Sequence, residues 1–426
     1  MLDKEPEIAA DYGYLNTIMS EAEETVTPVY RKLEQVSLAN HEKVLEAFHK
    51  SRVSEYHLHG STGYGYGDPG RDAVENVFAS VFKAEKALVR GQIISGTHAI
   101  TLCLFGVLRP GDELLVLTGK PYDTLEEVIG IRGSAPGNLA QWGVAYRQLD
   151  LLEDGDFDWE GIAGSINIKT RMVMIQRSRG YDWRPAFDID KIHKVCRLIK
   201  TIRDNIVIFV DNCYGEFVEQ QEPIEAGADL VAGSLIKNPG GGIAPMGGYV
   251  IGRKDLVEMA SHRLTAPGIG GEAGATLGFN RHFLQGIFLA PHVVCEALKG
   301  AVFASAVVEK LGYDVSPKYN EKRSDIIQGF RFTNSEEMVA FCRGLQKGSP
   351  LDGHVIPEPV LMPGYEDEVI MAGGTFVSGS TIELSADGPL REPFAVYMQG
   401  GLSKDYVKLG IMSAIKECQA KKLKKV

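Results

Sequence analysis

Apolar positions along the chain change their spacing several times, and each spacing predicts a different element. Residues 98–108 (HAITLCLFGVL) are apolar on almost every side, which predicts a buried helix. Residues 188–204 have apolar side chains every three or four positions, which predicts an amphipathic helix with Asp188 as its N-cap. Other short segments are rich in apolar residues, as expected for strands of a sheet covered on both faces: 113–118, 170–176 and 206–210.

The order of these elements divides the chain into three parts. Strand-like and helix-like segments alternate over residues 55–290, which predicts a large α/β domain with right-handed crossovers. Residues 291–426 predict a smaller α+β domain. Residues 1–54 are polar and helix-like, and we expect this N-terminal arm to lie against the small domain or against a neighbouring subunit. The elements expected in the small domain are a helix over 291–311, strands over 367–372 and 380–385, and a closing helix over 403–417.

A glycine-rich segment, HGSTGYGYGDPGRD at residues 59–72, lies between the arm and the alternating elements. Its five glycines predict a loop with tight backbone approaches and no regular element. Tyr64 and Tyr66 lie within this loop.

Composition and charge narrow the class of protein. Of the 426 residues, 44% are hydrophobic and 24% charged, which suits a globular protein with two domains. The net charge of −11 argues against a nucleic acid or an anionic membrane as a partner. The six cysteines form no CxxC pair, the N-terminus is acidic, and no stretch approaches the roughly 20 apolar residues of a membrane span. We therefore expect a cytoplasmic protein with reduced thiols and no metal site.

Two residues at the predicted sheet edge carry the main chemical signal. Asp211 follows the apolar run 206–210, at the carboxyl ends of parallel strands where ligands bind. Lys237 comes later, beside a glycine triplet that leaves its amine uncrowded. Enzymes that use pyridoxal 5′-phosphate (PLP) need a lysine to form a Schiff base and a carboxylate to keep the pyridine nitrogen protonated. We therefore predict a PLP enzyme in which Lys237 and Asp211 are catalytic.

The surroundings of Lys237 also allow a second interpretation. Ser234-x-x-Lys237 has the spacing of the serine nucleophile motif of penicillin-binding proteins. That class also needs Ser-Asp-Asn and Lys-Thr-Gly strings, and the chain contains neither of them.

Other positions fit the remaining parts of the cofactor. Segment 95–97 (SGT) precedes the helix predicted to begin near His98, so its backbone N–H groups and hydroxyls predict a phosphate site. Tyr122 follows the strand 113–118 and offers an aromatic face to stack on the pyridine ring, although a packing role fits its position equally well. The expected phosphate ligands are Ser95, Gly96, Thr97 and Ser234.

Four segments occur in the order SGTHAI, PYDTLEE, VDNCYGEF and GSLIKNPGGGIAPMGGYV. In this order they resemble the Cys/Met-metabolism PLP enzymes of the aspartate-aminotransferase (type I) fold. Two more segments, GSTIELSADGPLREP and YMQGGL, resemble the branch described as methionine gamma-lyase-like or aluminium-resistance proteins. The resemblance covers the chain from about residue 40 onward. It implies a large, mostly parallel sheet domain, a smaller C-terminal α+β domain and PLP as cofactor.

The resemblance also implies roles for individual residues. Lys237 matches the Schiff-base lysine, Asp211 the pyridinium partner and Tyr122 the stacking tyrosine, and these three are the expected catalytic residues. The SGT segment and Ser234 match the phosphate site.

The family forms its active sites between the subunits of a homodimer, commonly paired into a homotetramer. A Tyr-x-Arg element of the family reaches the neighbour's phosphate. Tyr64 and Tyr66 match its tyrosine, but neither has an arginine two residues later, so Arg71 is the expected substitute. The family's Asn-Pro segment near the cofactor's 3′-oxygen has no match in residues 176–185.

The substrate's carboxylate calls for an arginine, because a guanidinium can donate two parallel charge-assisted hydrogen bonds. Arg391, in the branch-specific segment, is the first candidate, and Arg179 is the second. A surface ion pair is the alternative role of Arg391.

The expected reaction is a carbon–sulfur lyase reaction on a small sulfur amino acid, of the methionine gamma-lyase or cystathionine lyase type. Lys237 removes the α-proton and a thiol leaves from the β or γ carbon. The alternatives are an aminotransferase or a stress- or aluminium-resistance PLP protein with another amino-acid substrate. A metal-binding resistance protein would have to use His57 and His59, which have no third ligand nearby in the sequence.

Overall fold

The computed structural model of the chain describes residues 13–362 and 364–423. Ten α-helices are present in these two ranges. In chain order they are α1 (Gly13–Lys50), α2 (Pro69–Val81), α3 (Gly96–Val107), α4 (Asp123–Ile129), α5 (Gly161–Ser165), α6 (Ile189–Ile202), α7 (Lys254–Leu264), α8 (Asn280–Lys310), α9 (Ser335–Lys347) and α10 (Lys404–Leu423).

The described strands form two sheets. The large sheet contains β1 (Lys86–Arg90), β2 (Glu113–Val116), β3 (Ala145–Gln148), β4 (Thr170–Gln176), β5 (Val207–Asp211), β6 (Leu230–Ser234) and β7 (Gly248–Gly252). The small sheet contains β8 (Asp314–Ser316), β9 (Gln328–Arg331), β10 (Val360–Leu361), β11 (Glu368–Ala372), β12 (Ser385–Pro389) and β13 (Ala395–Gln399).

The large sheet has the strand order β1-β7-β6-β5-β4-β2-β3. Strands β2 to β6 run parallel to one another, and β7 is antiparallel to both β6 and β1. The small sheet has the order β10-β11-β12-β13-β9-β8 and is antiparallel throughout. The predicted α/β fold, a large mostly parallel sheet domain with a smaller α+β domain, is confirmed.

Alternate residues of the central strands face two different apolar cores. In β4, Met172 and Met174 lie in the core that contains α3 and α7. Val173 and Ile175 lie on the opposite face, in the core that contains α2, α6 and α8. Since neither face of the sheet is open to water, the strand needs apolar side chains at successive positions. This packing explains the continuous apolar runs of the sequence.

Residues 1–12 of the predicted N-terminal arm lie outside the described residues, and most of the described part is the helix α1, which contacts both domains. Leu15 and Ile18 near its start belong to the core of the small domain. Val44 and Ala47 near its end belong to a core of the large domain. The arm therefore lies against the small domain, as expected, and it also packs against the large one.

The helix predicted over 291–311 begins earlier, at Asn280, so α8 crosses the predicted domain boundary at 290/291. Pro291 suggests a helix start in the sequence, but it lies inside α8. The first part of α8 packs closely on the turn after Lys237, because a Cβ at Gly286 would be 2.5 Å from the carbonyl oxygen of Gly240. Tertiary packing thus extends the helix past the proline.

Helix α8 is also long and apolar enough to cross a membrane by length and composition, although no membrane span was expected from the sequence. In its most apolar window, 78% of the residues are buried inside the protein. Its buried side chains contribute to the cores of both domains, so the apolar character of α8 is accounted for by internal packing.

The strand predicted over 380–385 is wrong, because the strand in this region is β12, which begins at Ser385. The preceding residues form turns around the Glu383 carboxylate. This carboxylate accepts hydrogen bonds from the backbone N–H groups of Phe376, at 2.8 Å, and Val377, at 2.9 Å. A buried side-chain acceptor therefore replaces strand pairing here.

The glycine-rich loop is shorter than predicted, because α2 begins at Pro69. Asp68 is the N-cap of α2, and its Oδ1 accepts a hydrogen bond from the Arg71 backbone N–H at 2.9 Å. Gly70 is helical and is required for another reason: a Cβ there would overlap Asn280 Nδ2 and lie 2.5 Å from the His57 carbonyl oxygen.

Gly70→Ala is therefore expected to lower the free energy of unfolding by about 1–3 kcal/mol, the usual cost of overpacking. Gly164→Ala is the matched control, because a Cβ at this other helical glycine meets no atom within 4 Å. Denaturant unfolding of both variants measures the difference. An equal effect of the two substitutions would show that the close approach at Gly70 does not determine its stability cost.

Candidate active site

A cavity of about 460 Å³ lies between the two domains. The large domain contributes residues at the carboxyl ends of β4, β5 and β6 and the start of α3. The small domain contributes residues of β11, β12 and β13. The cavity lies at the carboxyl edge of the parallel strands, which is where α/β proteins bind ligands.

Asp211 and Lys237 enter this cavity from neighbouring strands. Asp211 is the last residue of β5, and Lys237 follows β6, which pairs with β5 in parallel. Asp211 is 7% exposed, and its Oδ1 accepts a hydrogen bond from the Cys213 backbone N–H at 3.1 Å. Burial raises the pKa of Asp211, and the amine of Lys237 opposes this rise. The two groups are thus close enough to interact, as their order in the sequence predicts.

The Lys237 amine lies 3.9 Å from the centroid of the Tyr214 ring. Burial acts to lower the pKa of Lys237, but Cys213, Tyr214 and Asp211 raise it by more. The protein's own groups therefore favour the ammonium form, whereas the sequence-based expectation was a lowered pKa. Burial also raises the pKa of the Cys213 thiol and of the Tyr214 phenol.

The turn after Lys237 depends on glycine. A Cβ at Gly240 would overlap the carbonyl oxygen of Leu235, so no other residue fits without moving the backbone. The short 3₁₀ turn Asn238–Gly240 follows Lys237 directly. Asn238 fixes this turn, because its Nδ2 donates to the carbonyl oxygens of Tyr214 at 3.0 Å and Glu216 at 2.9 Å.

The SGT segment lies at the start of α3, which begins at Gly96 and not at His98. Ser95 is the N-cap, and its Oγ accepts a hydrogen bond from the His98 backbone N–H at 3.0 Å. A Cβ at Gly96 would be 3.1 Å from Cys213 Sγ and 3.7 Å from Ser234 Cβ, so the segment packs directly on β6. Ser95, Gly96, Thr97 and Ser234 all line the cavity, as predicted from the sequence.

Ser234 has a hydroxyl that lacks a partner. Its side chain is buried, and its Oγ has no hydrogen-bond partner within the described part of the chain. Ser380 Oγ, on the small-domain wall of the same cavity, is also buried without a hydrogen-bond partner in the described part of the chain. Buried hydroxyls are normally satisfied. An anion between Ser234 and the free N–H groups at the start of α3 would accept from them.

Tyr122 is the N-cap residue of α4 and lines the cavity. Its backbone N–H donates to Gln176 Oε1 at 2.9 Å, which fixes the residue at the end of β4. Its hydroxyl forms a hydrogen bond with that of Tyr365, and the two rings meet edge to face. The ring is therefore held from both domains.

Tyr64 and Tyr66 do not line the cavity. They are 76% and 63% exposed, and their rings stack on each other at 5.5 Å. Arg71, the expected substitute for the missing arginine, is buried in α2 and donates to the carbonyl oxygens of Gly65 at 2.7 Å and Glu272 at 3.2 Å. Arg71 therefore fixes the glycine-rich loop, and its expected role at the phosphate of a neighbouring subunit stays a prediction.

The two candidate arginines for a substrate carboxylate also lie away from the cavity wall. Arg391 forms an ion pair with Asp367 at 2.7 Å, and its side chain is 42% exposed. Arg179 is buried, and its Nη1 donates to the carbonyl oxygen and hydroxyl of Ser316 at 2.9 and 3.1 Å. Neither arginine is brought to the cavity by this chain alone, because each is bound to the protein itself.

Sequence reasoning missed a group of cavity residues from both domains. Tyr181 follows β4, Tyr365 precedes β11, and Asp387 and Gln399 lie on β12 and β13. Gln399 Nε2 donates to Asp387 Oδ2 at 2.9 Å. The one available signal was the charged Asp387 inside the branch-specific segment 379–393. The pairing of its strand could not be read from the sequence.

His57 and His59 do not belong to a cluster of metal ligands in the described part of the chain. Among residues 13–362 and 364–423, no group of three or more His, Cys, Asp or Glu side chains could hold a metal ion. His57 instead accepts a hydrogen bond at Nδ1 from the Ser54 backbone N–H at 2.9 Å.

The side chains and backbone groups that line the cavity match the chemical groups of PLP. The unsatisfied Ser234 hydroxyl and the start of α3 suit a phosphate, Lys237 suits an aldehyde, and Asp211 suits a protonated pyridine nitrogen. The Tyr122 ring lies on the same wall.

Comparison with known proteins supports this fit. The model of the family described as "Methionine gamma-lyase" matches residues 15–419. The chain is 52% identical to the uncharacterised Bacillus subtilis protein YnbB over 95% of this chain and 96% of that protein. It is also 49% identical to a Clostridium novyi protein named as a carbon-sulfur lyase involved in aluminum resistance. The crystal structure of the Clostridium novyi protein superimposes on this chain with a TM-score of 0.91, and the match covers 95% of each chain.

A more distant structure has the same fold. It is a Campylobacter jejuni protein provisionally named O-acetylhomoserine (thiol)-lyase, 15% identical, with a TM-score of 0.58, and 82% of this chain and 86% of that chain are covered. That structure contains N′-pyridoxyl-lysine-5′-monophosphate. The chain belongs to the methionine gamma-lyase family, and its cofactor is pyridoxal 5′-phosphate.

Proposed function

We propose that the protein is a carbon–sulfur lyase acting on a small sulfur amino acid. The observation that carries this proposal is the arrangement of Lys237, Asp211 and Tyr122 around one cavity in a chain of this family. The name of the similar Clostridium novyi protein, a carbon-sulfur lyase, supports the same class of reaction.

In this proposal the bound cofactor supplies an electron sink for the carbanion at the substrate's α carbon. Asp211 would hold the proton on the pyridine nitrogen, since a buried carboxylate is most stable with a cation beside it. Segment 95–97 and Ser234 would hold the phosphate, and Tyr122 would position the ring. Lys237 would anchor the cofactor and, as a neutral amine displaced by the substrate's own amino group, would accept the α-proton at its Nζ.

The proposed proton transfer requires a particular protonation state of Lys237. Lys237 can accept a proton only as a neutral amine, whereas its surroundings in the protein alone raise its pKa. A cation held beside Asp211 would offset its charge and so weaken the contribution of Asp211 to the raised pKa of Lys237.

We also propose a homodimer or homotetramer with shared active sites. Lys237 is the one basic side chain among the described residues that line the cavity, so a carboxylate of the substrate needs a further cation. Tyr64 and Tyr66 form an exposed aromatic pair on the glycine-rich loop, positioned to contact another subunit.

The proposed reaction is tested by incubating the purified holoenzyme with methionine, cystathionine, cysteine and homocysteine. We expect a thiol and a 2-oxo acid in equal amounts, with pyruvate for β and 2-oxobutyrate for γ elimination. A 2-oxo acid that forms without thiol, and only with an added amino-group acceptor, would identify an aminotransferase and overturn the proposal.

A further inference from the structure

Asp387 is an acidic side chain that faces the cavity and has no part in the proposed reaction. It lies on β12 of the small domain, opposite the cofactor-binding residues of the large domain. Gln399 Nε2 donates to its Oδ2 at 2.9 Å, and the Tyr181 hydroxyl also hydrogen-bonds to it. Two donors from different elements therefore hold this carboxylate in place.

The described charged residues of the cavity leave the Asp387 carboxylate without a cationic partner in the proposed reaction. Among the described residues that line the cavity, three are charged: Asp211, Lys237 and Asp387. The proposed reaction pairs the first two with the cofactor. Asp387 then remains as the one fixed charge on the substrate side, and it is negative.

A substrate with an apolar side chain would cover Asp387 without compensating its charge. Removing a carboxylate from water without a cationic partner is costly, so an S-methyl group is disfavoured at this place. An ammonium group would instead form a charge-assisted hydrogen bond with the carboxylate. The same residue thus favours one class of side chain and disfavours the other.

We propose that Asp387, held by Gln399 and Tyr181, binds an ammonium group at the far end of the substrate's side chain. The preferred substrates are then thioether amino acids that carry a second amino group. This inference rests on the proposed function and narrows its substrate class.

The pKa of Asp387 sets the pH range in which this carboxylate loses its charge. Burial raises the pKa of Asp387 to about 6, and the hydrogen bonds of Tyr181 and Gln399 and the amine of Lys237 limit the rise. Burial moves the pKa of the neighbouring phenols and thiol upward, so they stay neutral. These neighbours are Tyr122, Tyr181, Tyr214, Tyr365 and Cys342.

The test compares lysine with norleucine, which has one carbon chain of the same length and no second amino group. Neither contains sulfur, so binding to the holoenzyme is measured from the change in cofactor absorbance. We expect lysine to bind at least about tenfold more tightly at pH 8. Because a protonated Asp387 loses its charge, this preference is expected to shrink as the pH falls through about 6.

Asp387→Asn is expected to abolish the preference for lysine while norleucine binds equally well or more tightly. Asp190→Asn is the matched control, because Asp190 is exposed and pairs with Lys322 at 3.4 Å, outside the cavity. Equal binding of the two ligands by the wild type, or a preference that survives Asp387→Asn, would overturn the inference.

The result is separable from the proposed function. Thiol release is measured in parallel with S-(2-aminoethyl)cysteine and S-ethylcysteine, which differ, like lysine and norleucine, by the second amino group alone. No thiol from any sulfur amino acid would overturn the proposed reaction, whatever the binding result. Release of thiol from both compounds with equal kcat/KM would support the proposed lyase reaction and would overturn the role of Asp387.

Discussion

Lys237→Ala is expected to lower kcat/KM by roughly 10²–10⁴-fold through loss of the proton acceptor alone. The lysine is held between the Tyr214 ring and Asp211, and the described cavity wall offers no second amine that could replace it. The variant should also fail to retain cofactor after borohydride reduction and denaturation. Absorbance of the reduced, denatured protein measures this attachment independently of turnover.

Lys318→Ala is the matched control for this substitution. Lys318 pairs with Glu309 at 3.0 Å at the surface, and its side chain is 56% exposed. Its removal should leave both activity and cofactor attachment unchanged. Covalently bound cofactor in Lys237→Ala would show that another amine is the attachment site.

Asp211→Asn is expected to reduce kcat/KM by at least about 100-fold, since a buried charge that stabilises the transition state is lost. The amide keeps the size of the carboxyl group and can still accept the hydrogen bond from the Cys213 N–H. It cannot pair with a protonated pyridine nitrogen. Cofactor affinity and the cofactor's absorbance maximum are measured with kcat/KM, because both depend on that proton.

Asp255→Asn serves as the control, because Asp255 is half exposed and pairs with Arg253 at 2.7 Å on the surface. Unfolding experiments show whether Asp211→Asn remains folded. A folded variant with wild-type kcat/KM and an unchanged cofactor spectrum would contradict the assigned role.

The sequence by itself determined the elements that lie in the interior of the large domain. The segments 170–176 and 206–210 are apolar at successive positions because both faces of the sheet are covered, and this signal is local. The same holds for Asp188, whose Oδ1 accepts a hydrogen bond from the Lys191 backbone N–H at 2.8 Å as the N-cap of α6.

The residues that line the large-domain side of the cavity could also be predicted, because each lies beside a recognisable local element. Asp211 ends a buried strand, segment 95–97 opens a helix, and Lys237 precedes a turn that only glycine allows. The carboxyl ends of parallel strands meet at one edge of the sheet, so residues distant in sequence converge there.

The small-domain side of the cavity was decided by tertiary structure alone. Arg391 and Arg179 were chosen for their chemistry, but each is bound to groups of the protein that lie far away in the sequence. Asp387 reaches the cavity only because its antiparallel strand packs across the domain boundary. Local patterns record which face of an element is buried, whereas the partner of a polar side chain depends on which distant element packs against it.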